Sequence, residues 1–520
     1  MNGAEILVNT LLSGGIDVCF ANPGTSEMHF VAALDRYPRM RCVLGLFEGV
    51  VTGAADGYYR MAGKPASTLL HLGPGLANGL SALHNAMKAS SGIVNVVGDH
   101  ASWHLQYDAP LTSDVDGIAR PVSHWLKRSH APDDVGRHAA EAIEAANGRP
   151  GAIATLILPG DAAWNEAGTP LRFDPATSAA PHRQPLAPRA DAIDAAARAL
   201  LSGQPAALFL GGAALTAKAM EIVGRIVAKT GARPFSQTFA ARVERGAGRV
   251  AAERLPYPVD HAVEVLKPYR HIVTVQASQP VGFFAYPGKP SVLSHPEAEI
   301  HPLCGLQEDV VAALEALAEA VGAAGVQPVR AMRAEAALPT GALNPLAIAQ
   351  ALAALMPEDA VVVDEAITGG FSSYPLTATA APHDWLQNMG GSIGFAPPVA
   401  TGAALGAPGR PVICLTGDGS AMYSLQALWT QARESLHVVT LVFSNRTYQI
   451  LKMEFAGVGA GEPGPSALAM MNLDRPDLNW VKMGEGMGVP STRVTTAEEL
   501  CTALSRALSA EGPSLIEVML

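Results

Sequence analysis

A chain of 520 residues is too long for one hydrophobic core, so about two to four domains are expected. Apolar residues make up 49% and charged residues 16%, and the formal net charge is -11 with no basic run anywhere. That composition describes a well-buried globular protein and excludes nucleic acid and anionic membrane surfaces as partners.

The N-terminal stretch "MNGAEILVNTLLSGGIDV" enters an amphipathic helix at once. It has neither a basic start nor a small-residue cleavage site, so no signal peptide is expected. "DVCFANPG", "PASTLLHLGPG", "GIVNVVGDH" and "GAIATLILPGD" then follow as β-rich runs ending in Gly or Asp. Helical patterns such as "SEMHFVAALDRY" and "EGVVTGAADGYYRMAG" lie between them. This alternation predicts a parallel sheet wrapped by helices over residues 1–170. Residues 170–188 lose periodicity and gain proline, which predicts a linker. A second block, residues 188–325, carries "PAALFLGGAAL", "ARPFSQTFA" and "RHIVTVQAS". After another Pro/Ala-rich stretch, a third block over 340–520 holds the buried strands "AVVVDEA", "PVICLTGDG", "HVVTLVFSN" and "SLIEVML". The expected fold class is therefore α/β, with three doubly wound parallel-sheet domains. No apolar run reaches membrane-span length without Gly, Pro or charge. Cys19, Cys42, Cys304, Cys414 and Cys501 are scattered without a CxxC, as reduced core residues of a cytoplasmic protein would be.

The stretch "CLTGDGSAMYS" places Asp418 between Gly417 and Gly419 at the end of an apolar strand. Ligands of open parallel sheets sit at the carboxyl ends of strands, and glycines there allow close approach to the backbone. An acid at that point would repel a bare phosphate unless a divalent cation bridges the two, so Asp418 reads as a ligand for Mg²⁺ or Ca²⁺ on a diphosphate. The next strand ends in "SNRTY", putting Asn445 one helix and one strand later, at the same sheet edge. GDG by itself is a common tight turn. The amide at the neighbouring strand end is what favours a metal–diphosphate site.

With those residues in view, "GDGSAMYSLQALWTQARESLHVVTLVFSNRTY" resembles the thiamine-diphosphate signature, GDG followed by NN after a helix and a strand. The chain departs from it in carrying Ser444 for the first Asn and retains the second as Asn445. "FANPGTSEMHF", "GLFEGVVTGAADGYYR", "LLHLGPGLANGLSALHNA", "NMGGSIGFAPPVATGAALG" and "GPSLIEV" extend the likeness over nearly the whole length. The sequence resembles the thiamine-diphosphate-dependent decarboxylase and acetohydroxyacid synthase family, nearest to benzoylformate decarboxylases and acetolactate synthase large subunits. The resemblance implies a pyrimidine-binding first domain, a middle domain and a diphosphate-binding third domain.

The resemblance also implies roles. Asp418, Asn445 and the carbonyl of Thr447 would hold the metal. Asn22, Pro23, Gly24, Gly391, Ile393, Gly417, Gly419, Ser420 and Tyr448 would join them around thiamine diphosphate. Glu48 matches the glutamate set against the pyrimidine N1′. Taken by itself, it reads first as a helix-start acid stabilised by the helix dipole. Ile393 matches the apolar wedge under the cofactor, and the Gly391 carbonyl would accept from its amine. His71 matches an active-site histidine, and Thr25 and Phe455 would face the substrate. The second active-site histidine of benzoylformate decarboxylases has no counterpart in "VQASQPVGFFAYPGKPS", and the tandem His-His of pyruvate decarboxylases is missing too. His100 and His104 are either substitutes or plain loop residues. "FLGGAAL" is one Gly-Gly turn, and FAD is not predicted.

The expected activity is non-oxidative decarboxylation of a 2-oxo acid, with or without carboligation. The alternative is acetolactate-synthase-like joining of two 2-oxo acids. A cofactor-binding protein without turnover is disfavoured, because Glu48, Asp418 and Asn445 are all present. A plain dinucleotide-binding protein is disfavoured, because no GxGxxG followed by a suitably spaced acid stands out. The family's way of building each site from two chains implies a homodimer or homotetramer.

Overall fold

The computed structural model describes residues 1–168 and 184–520. Most of the linker expected over 170–188 lies outside the described residues. Within its described end, Leu186 makes an isolated parallel bridge with Glu308.

Strands β1 (Val18–Asn22), β2 (Arg41–Leu44), β3 (Ala66–Leu70), β4 (Ile93–Asp99), β5 (Trp125–Arg128) and β6 (Ile153–Pro159) form the first sheet. Its order is β2-β1-β3-β4-β6-β5, and every pairing is parallel. Next along the chain come β7 (Ala206–Leu210), β8 (Arg233–Ser236), β9 (Val243–Arg245), β10 (Glu253–Arg254), β11 (His271–Val275) and β12 (Glu299–Cys304). All but β9 make the second parallel sheet, in the order β10-β8-β7-β11-β12. The third sheet is built from β13 (Ala360–Glu365), β14 (His383–Gln387), β15 (Val412–Gly417), β16 (Val438–Ser444), β17 (Ser491–Val494) and β18 (Ser514–Met519). Its order is β17-β18-β16-β15-β13-β14-β9. Thus β9 leaves the middle stretch and pairs antiparallel with β14, Val243 opposite Trp385 and Arg245 opposite His383. The α/β expectation and the three parallel-dominated sheets hold, and this exchanged strand is an addition to them. Among the described residues no helix is long and apolar enough to cross a membrane.

Central strands are buried on both faces, as helices covering both sides of a sheet require. "VVTLVFS" of β16 is buried throughout, and so is "IATLILP" of β6. All five cysteines are unpaired, and all but Cys42 are buried.

Two helices bind the first sheet to the third. Helix Glu48–Ala62 starts after the extended residue Phe47 and stops at Gly63, whose φ of 67° is left-handed. It crosses helix Ala396–Gly406 at very short range. A Cβ on Gly57 would run into the carbonyl of Val399, and one on Gly402 into the carbonyl of Ala54. On Gly406 it would come within 2.8 Å of the Tyr58 carbonyl. Glycines four apart share one helix face, so Gly53 and Gly57 meet the face carrying Gly402 and Gly406. Beside this crossing, Arg60 and Asp56 form a buried ion pair at 2.7 Å. Arg60 Nη1 also donates to the carbonyls of Gln387 at 2.7 Å and Ala241 at 3.2 Å. Ser91 Oγ donates to Asp56 at 2.5 Å.

Gly402→Ala should therefore destabilise the protein by about 1–3 kcal/mol, the usual cost of overpacking a filled interior. A lowered urea midpoint is the expected readout, and an unchanged midpoint would refute the close crossing.

Candidate functional site

Three groups of side chains gather the sequence-predicted residues. The first lies at the carboxyl ends of β1 and β3. Glu48 is 6% exposed and opens its helix. Its carboxylate accepts from Asn22 Nδ2 at 3.1 Å and Asn78 Nδ2 at 2.9 Å. A Cβ on Gly75 would lie 3.2 Å from Glu48 Oε1, so the acid is closely walled. Sequence reasoning missed Asn78, which sits in the long helix Leu72–Lys88.

His71 directly follows β3 and precedes Leu72, which has a left-handed φ of 48°. Its Nδ1 pairs with Glu27 Oε2 at 2.8 Å. Glu27 also accepts from the Gly24 N–H at 2.8 Å, and its Oε1 is buried without a partner. Burial pushes the Glu27 carboxyl up, although His71 beside it pulls the other way. A Cβ on Gly24 would strike the His71 ring, so a side chain there would displace that imidazole. Asn22 and Pro23 complete the strand end, and Thr25 is exposed just beyond it. Glu27 went unread because an acid inside "TSEMHF" looks like a solvated helix start.

The second group lies at the carboxyl ends of β15 and β16. Asp418 is 2% exposed. Its Oδ1 accepts from the Gly419 N–H at 2.9 Å and its Oδ2 from the Arg446 N–H at 2.7 Å. Burial pushes this carboxyl up against those bonds. Asn445 Oδ1 accepts from the Thr447 N–H at 3.0 Å. Arg446, at φ 55°, supplies the left-handed bend between them. The GDG stretch was expected to be a turn leading into a helix. Asp418 instead opens a one-turn helix, Asp418–Ala421, and the longer helix starts only at Gln426. Gly419 is explained by packing as well: a Cβ there would meet the ring of Tyr448. Ser420 is buried and Gly417 half-buried in the same turn.

The third group is the loop 388–394. Asn388 Oδ1 accepts from the N–H groups of Gly390 and Gly391. From the first sheet's side, Asn85 grips Ser392 twice, at 2.8 and 3.1 Å, and His84 contacts the Gly390 carbonyl at 3.1 Å. Gly391 has φ 76° and leaves room for the ring of Phe283. Ile393 lines a crevice with Phe47, Gly49 and Tyr423. Glu365, at the end of β13, accepts from the N–H groups of Phe395 at 2.9 Å and Ala396 at 3.0 Å. Burial pushes its carboxyl up to about 7.

The third group touches both of the others, through Asn85 and His84 on one side and Tyr423 on the other. Tyr423 packs on Gly394, and its ring neighbours that of Tyr448, so the second and third groups touch. No described hydrogen bond or ion pair links the partners of Glu48 with those of Asp418. Phe455 is half-buried on helix Gln449–Gly457. Glu454 on that helix accepts from Tyr257 at 3.1 Å and Tyr286 at 2.8 Å, both from the middle stretch. His100 and His104 stack tilted at 5.4 Å between ring centres. Nε2 of His100 is buried without a partner.

A carboxylate in a buried polar nest, an acid–amide pair at adjacent strand ends and a glycine loop form a donor set that could hold a diphosphate cofactor. The thiamine pyrophosphate enzyme N-terminal TPP binding domain matches residues 1–120, and the C-terminal TPP binding domain matches residues 369–518. The chain belongs to the thiamine pyrophosphate enzyme family. It is 50% identical over 523 residues to a Mycobacterium tuberculosis (strain ATCC 25618 / H37Rv) protein named "Putative acetolactate synthase large subunit IlvX", covering 100% of this chain and 99% of that one. It is 29% identical to a benzoylformate decarboxylase of Pseudomonas aeruginosa, covering 97% and 96%. Among solved structures, a Rhodococcus jostii RHA1 thiamine diphosphate-dependent 4-hydroxybenzoylformate decarboxylase superposes with a TM-score of 0.84 at 26% identity, covering 100% and 99%. The protein is thus a thiamine-diphosphate-dependent enzyme related to both decarboxylases and acetolactate synthases.

Glu365 carries a pH prediction. A raised folded-state pKa means that the folded protein holds this proton more tightly than the unfolded chain does. The stability it contributes is complete below the unfolded value and is lost as pH rises to about 7. Glu365→Gln cannot ionise, so from about pH 5 to about pH 8 wild type should lose melting temperature relative to the variant. Parallel pH curves would contradict the assignment.

Proposed function

We propose that this enzyme removes CO₂ non-oxidatively from a 2-oxo acid with an aromatic or branched side chain, and releases an aldehyde or an acyloin. What carries the reading is the pairing of the buried Glu48 nest with the His71–Glu27 couple on one edge of the first sheet. Thiamine diphosphate, when bound, stabilises the carbanion left after CO₂ departs. Glu48 is the group that gives and takes a proton at the pyrimidine N1′, with Asn22 and Asn78 fixing its carboxylate. Asp418, Asn445 and the Thr447 carbonyl supply oxygens for a hard divalent cation, Mg²⁺ or Ca²⁺, that neutralises the diphosphate. Gly417, Gly419 and Ser420 form the turn that would hold the phosphates. His71, with Nδ1 committed to Glu27, offers Nε2 to the substrate for proton transfer. Thr25, in the same short turn as Glu27, stands exposed for the substrate carboxylate. Phe283 packs edge-on with Phe239 at 5.6 Å and with Phe284 at 4.8 Å. With Phe455 these rings make an apolar wall, and each methylene buried there contributes about 0.8 kcal/mol to substrate binding.

The second reading is acetolactate-synthase-like joining of two 2-oxo acids, favoured by the 50% identity to the Mycobacterium tuberculosis relative. Product analysis separates the two. Benzoylformate or a branched 2-oxo acid should give CO₂ with a higher kcat/KM than pyruvate. Pyruvate as the best substrate, with acetolactate as the product, would establish the second reading instead.

We further propose three domains, 1–170, 188–325 and 340–520, in a cytoplasmic homodimer or homotetramer. Support for shared sites comes from the separate hydrogen-bond networks of Glu48 and Asp418 within one chain. Mixing Glu48→Gln chains with Asp418→Ala chains should restore activity that neither has alone, provided subunits exchange. Continued inactivity after demonstrated exchange would count against a shared site.

Glu48→Gln keeps the shape and the amide partners but cannot relay a proton. Cofactor binding should persist by calorimetry, while C2–H/D exchange slows about a hundredfold or more. Exchange at the wild-type rate would assign Glu48 to structure alone.

A further inference from the structure

The second sheet carries a cluster unrelated to the cofactor residues. β11 and β12 run parallel, with His271 opposite Glu299 and Val273 opposite His301. Residues two apart on a strand share a face, so Glu299 and His301 project from one side of β12, beside His271 on β11. Ile272 and Ile300 point the other way, into the core with Phe235 and Leu266. The cluster lies at the amino end of these strands, whereas the cofactor residues occupy carboxyl ends.

Three atoms converge there. His271 Nδ1 and His301 Nε2 are 3.1 Å apart. Glu299 Oε2 is 3.9 Å from the first and 3.7 Å from the second. A point in their plane equidistant from all three lies about 2.1 Å from each, the bond length at which zinc takes imidazole nitrogen and carboxylate oxygen. Two imidazoles and a carboxylate form a donor set that suits zinc and its neighbours better than magnesium or calcium. The histidine side chains are only 12% and 16% exposed, while that of Glu299 is 70% exposed and free to adjust.

We propose that His271, Glu299 and His301 form a second metal site, for a zinc-type divalent cation, with its remaining positions open to water or an exogenous ligand. The inference goes beyond the proposed function and does not depend on it.

The test uses the whole protein, stripped with chelator, then saturated with thiamine diphosphate and Mg²⁺ so that the carboxylate–amide site is filled. It is dialysed against micromolar zinc chloride, and bound zinc is measured by mass spectrometry. Wild type should hold one zinc per chain, and His271→Ala and His301→Ala should lose it while keeping wild-type circular dichroism and cofactor affinity. Cobalt(II) should give visible d–d absorption in wild type and lose it in both variants. Equal zinc in wild type and the double alanine variant, or no saturable zinc in wild type, would overturn the proposal.

Discussion

The contact on which the rest depends is the glycine crossing of helices Glu48–Ala62 and Ala396–Gly406, locked by the buried Asp56–Arg60 pair. Helix axes come this close only where side chains are absent, and Gly57 and Gly402 each face a partner backbone. The close approach fixes two things at once. It sets the start of the first helix, and hence Glu48, and it sets the loop carrying Gly391 and Ile393 just before the second helix. Arg60 extends the constraint to β14 and to the middle stretch through two backbone carbonyls. A buried guanidinium with a carboxylate partner and two further acceptors is fully compensated. Removing Asp56 alone would leave an unpaired buried charge, the costly way to break such a pair.

Polar groups are buried elsewhere with similar economy. Arg245, on β9, donates to Thr377 at 2.7 Å and to the Tyr374 carbonyl at 2.6 Å, and lies 3.8 Å over the Tyr374 ring. Asp384 on β14 faces both Arg242 and Arg410. Each network lies where two sheets or a sheet and a loop must keep register. The loops at the cofactor residues are held the same way, by Asn85, Asn388 and Glu365 accepting or donating to backbone.

Much of this architecture was legible in the sequence because parallel strands buried on both faces read as continuous apolar runs, as "VICLTG" and "VVTLVFS" do. Strands with other compositions were not. "RCVL" and "WLKR" sit at the two edges of the first sheet, where charge is tolerated, and each has only four residues broken by charge. "HDWLQ" is buried throughout, yet its acid and imidazole are satisfied by arginines far away in the chain. At the candidate site, Asp418 and Asn445 stood out by spacing and Glu48 by its match to the family pattern, whereas Glu27, Asn78 and Asn85 did not. Those three meet His71, Glu48 and Ser392, which lie 44, 30 and 307 residues away, and no local pattern records such a partner.

The three-residue strand β9 has a consequence for modularity. It closes one margin of the third sheet, pairing antiparallel with β14 where an open edge would invite association with another chain. A segment that otherwise belongs to the middle sheet therefore acts as a stopper on its neighbour. Chimeras that exchange the middle stretch between relatives would have to carry this short strand and its arginine anchors as part of the recipient. Otherwise they would expose a sticky margin, and the loss would show as precipitation rather than as altered specificity.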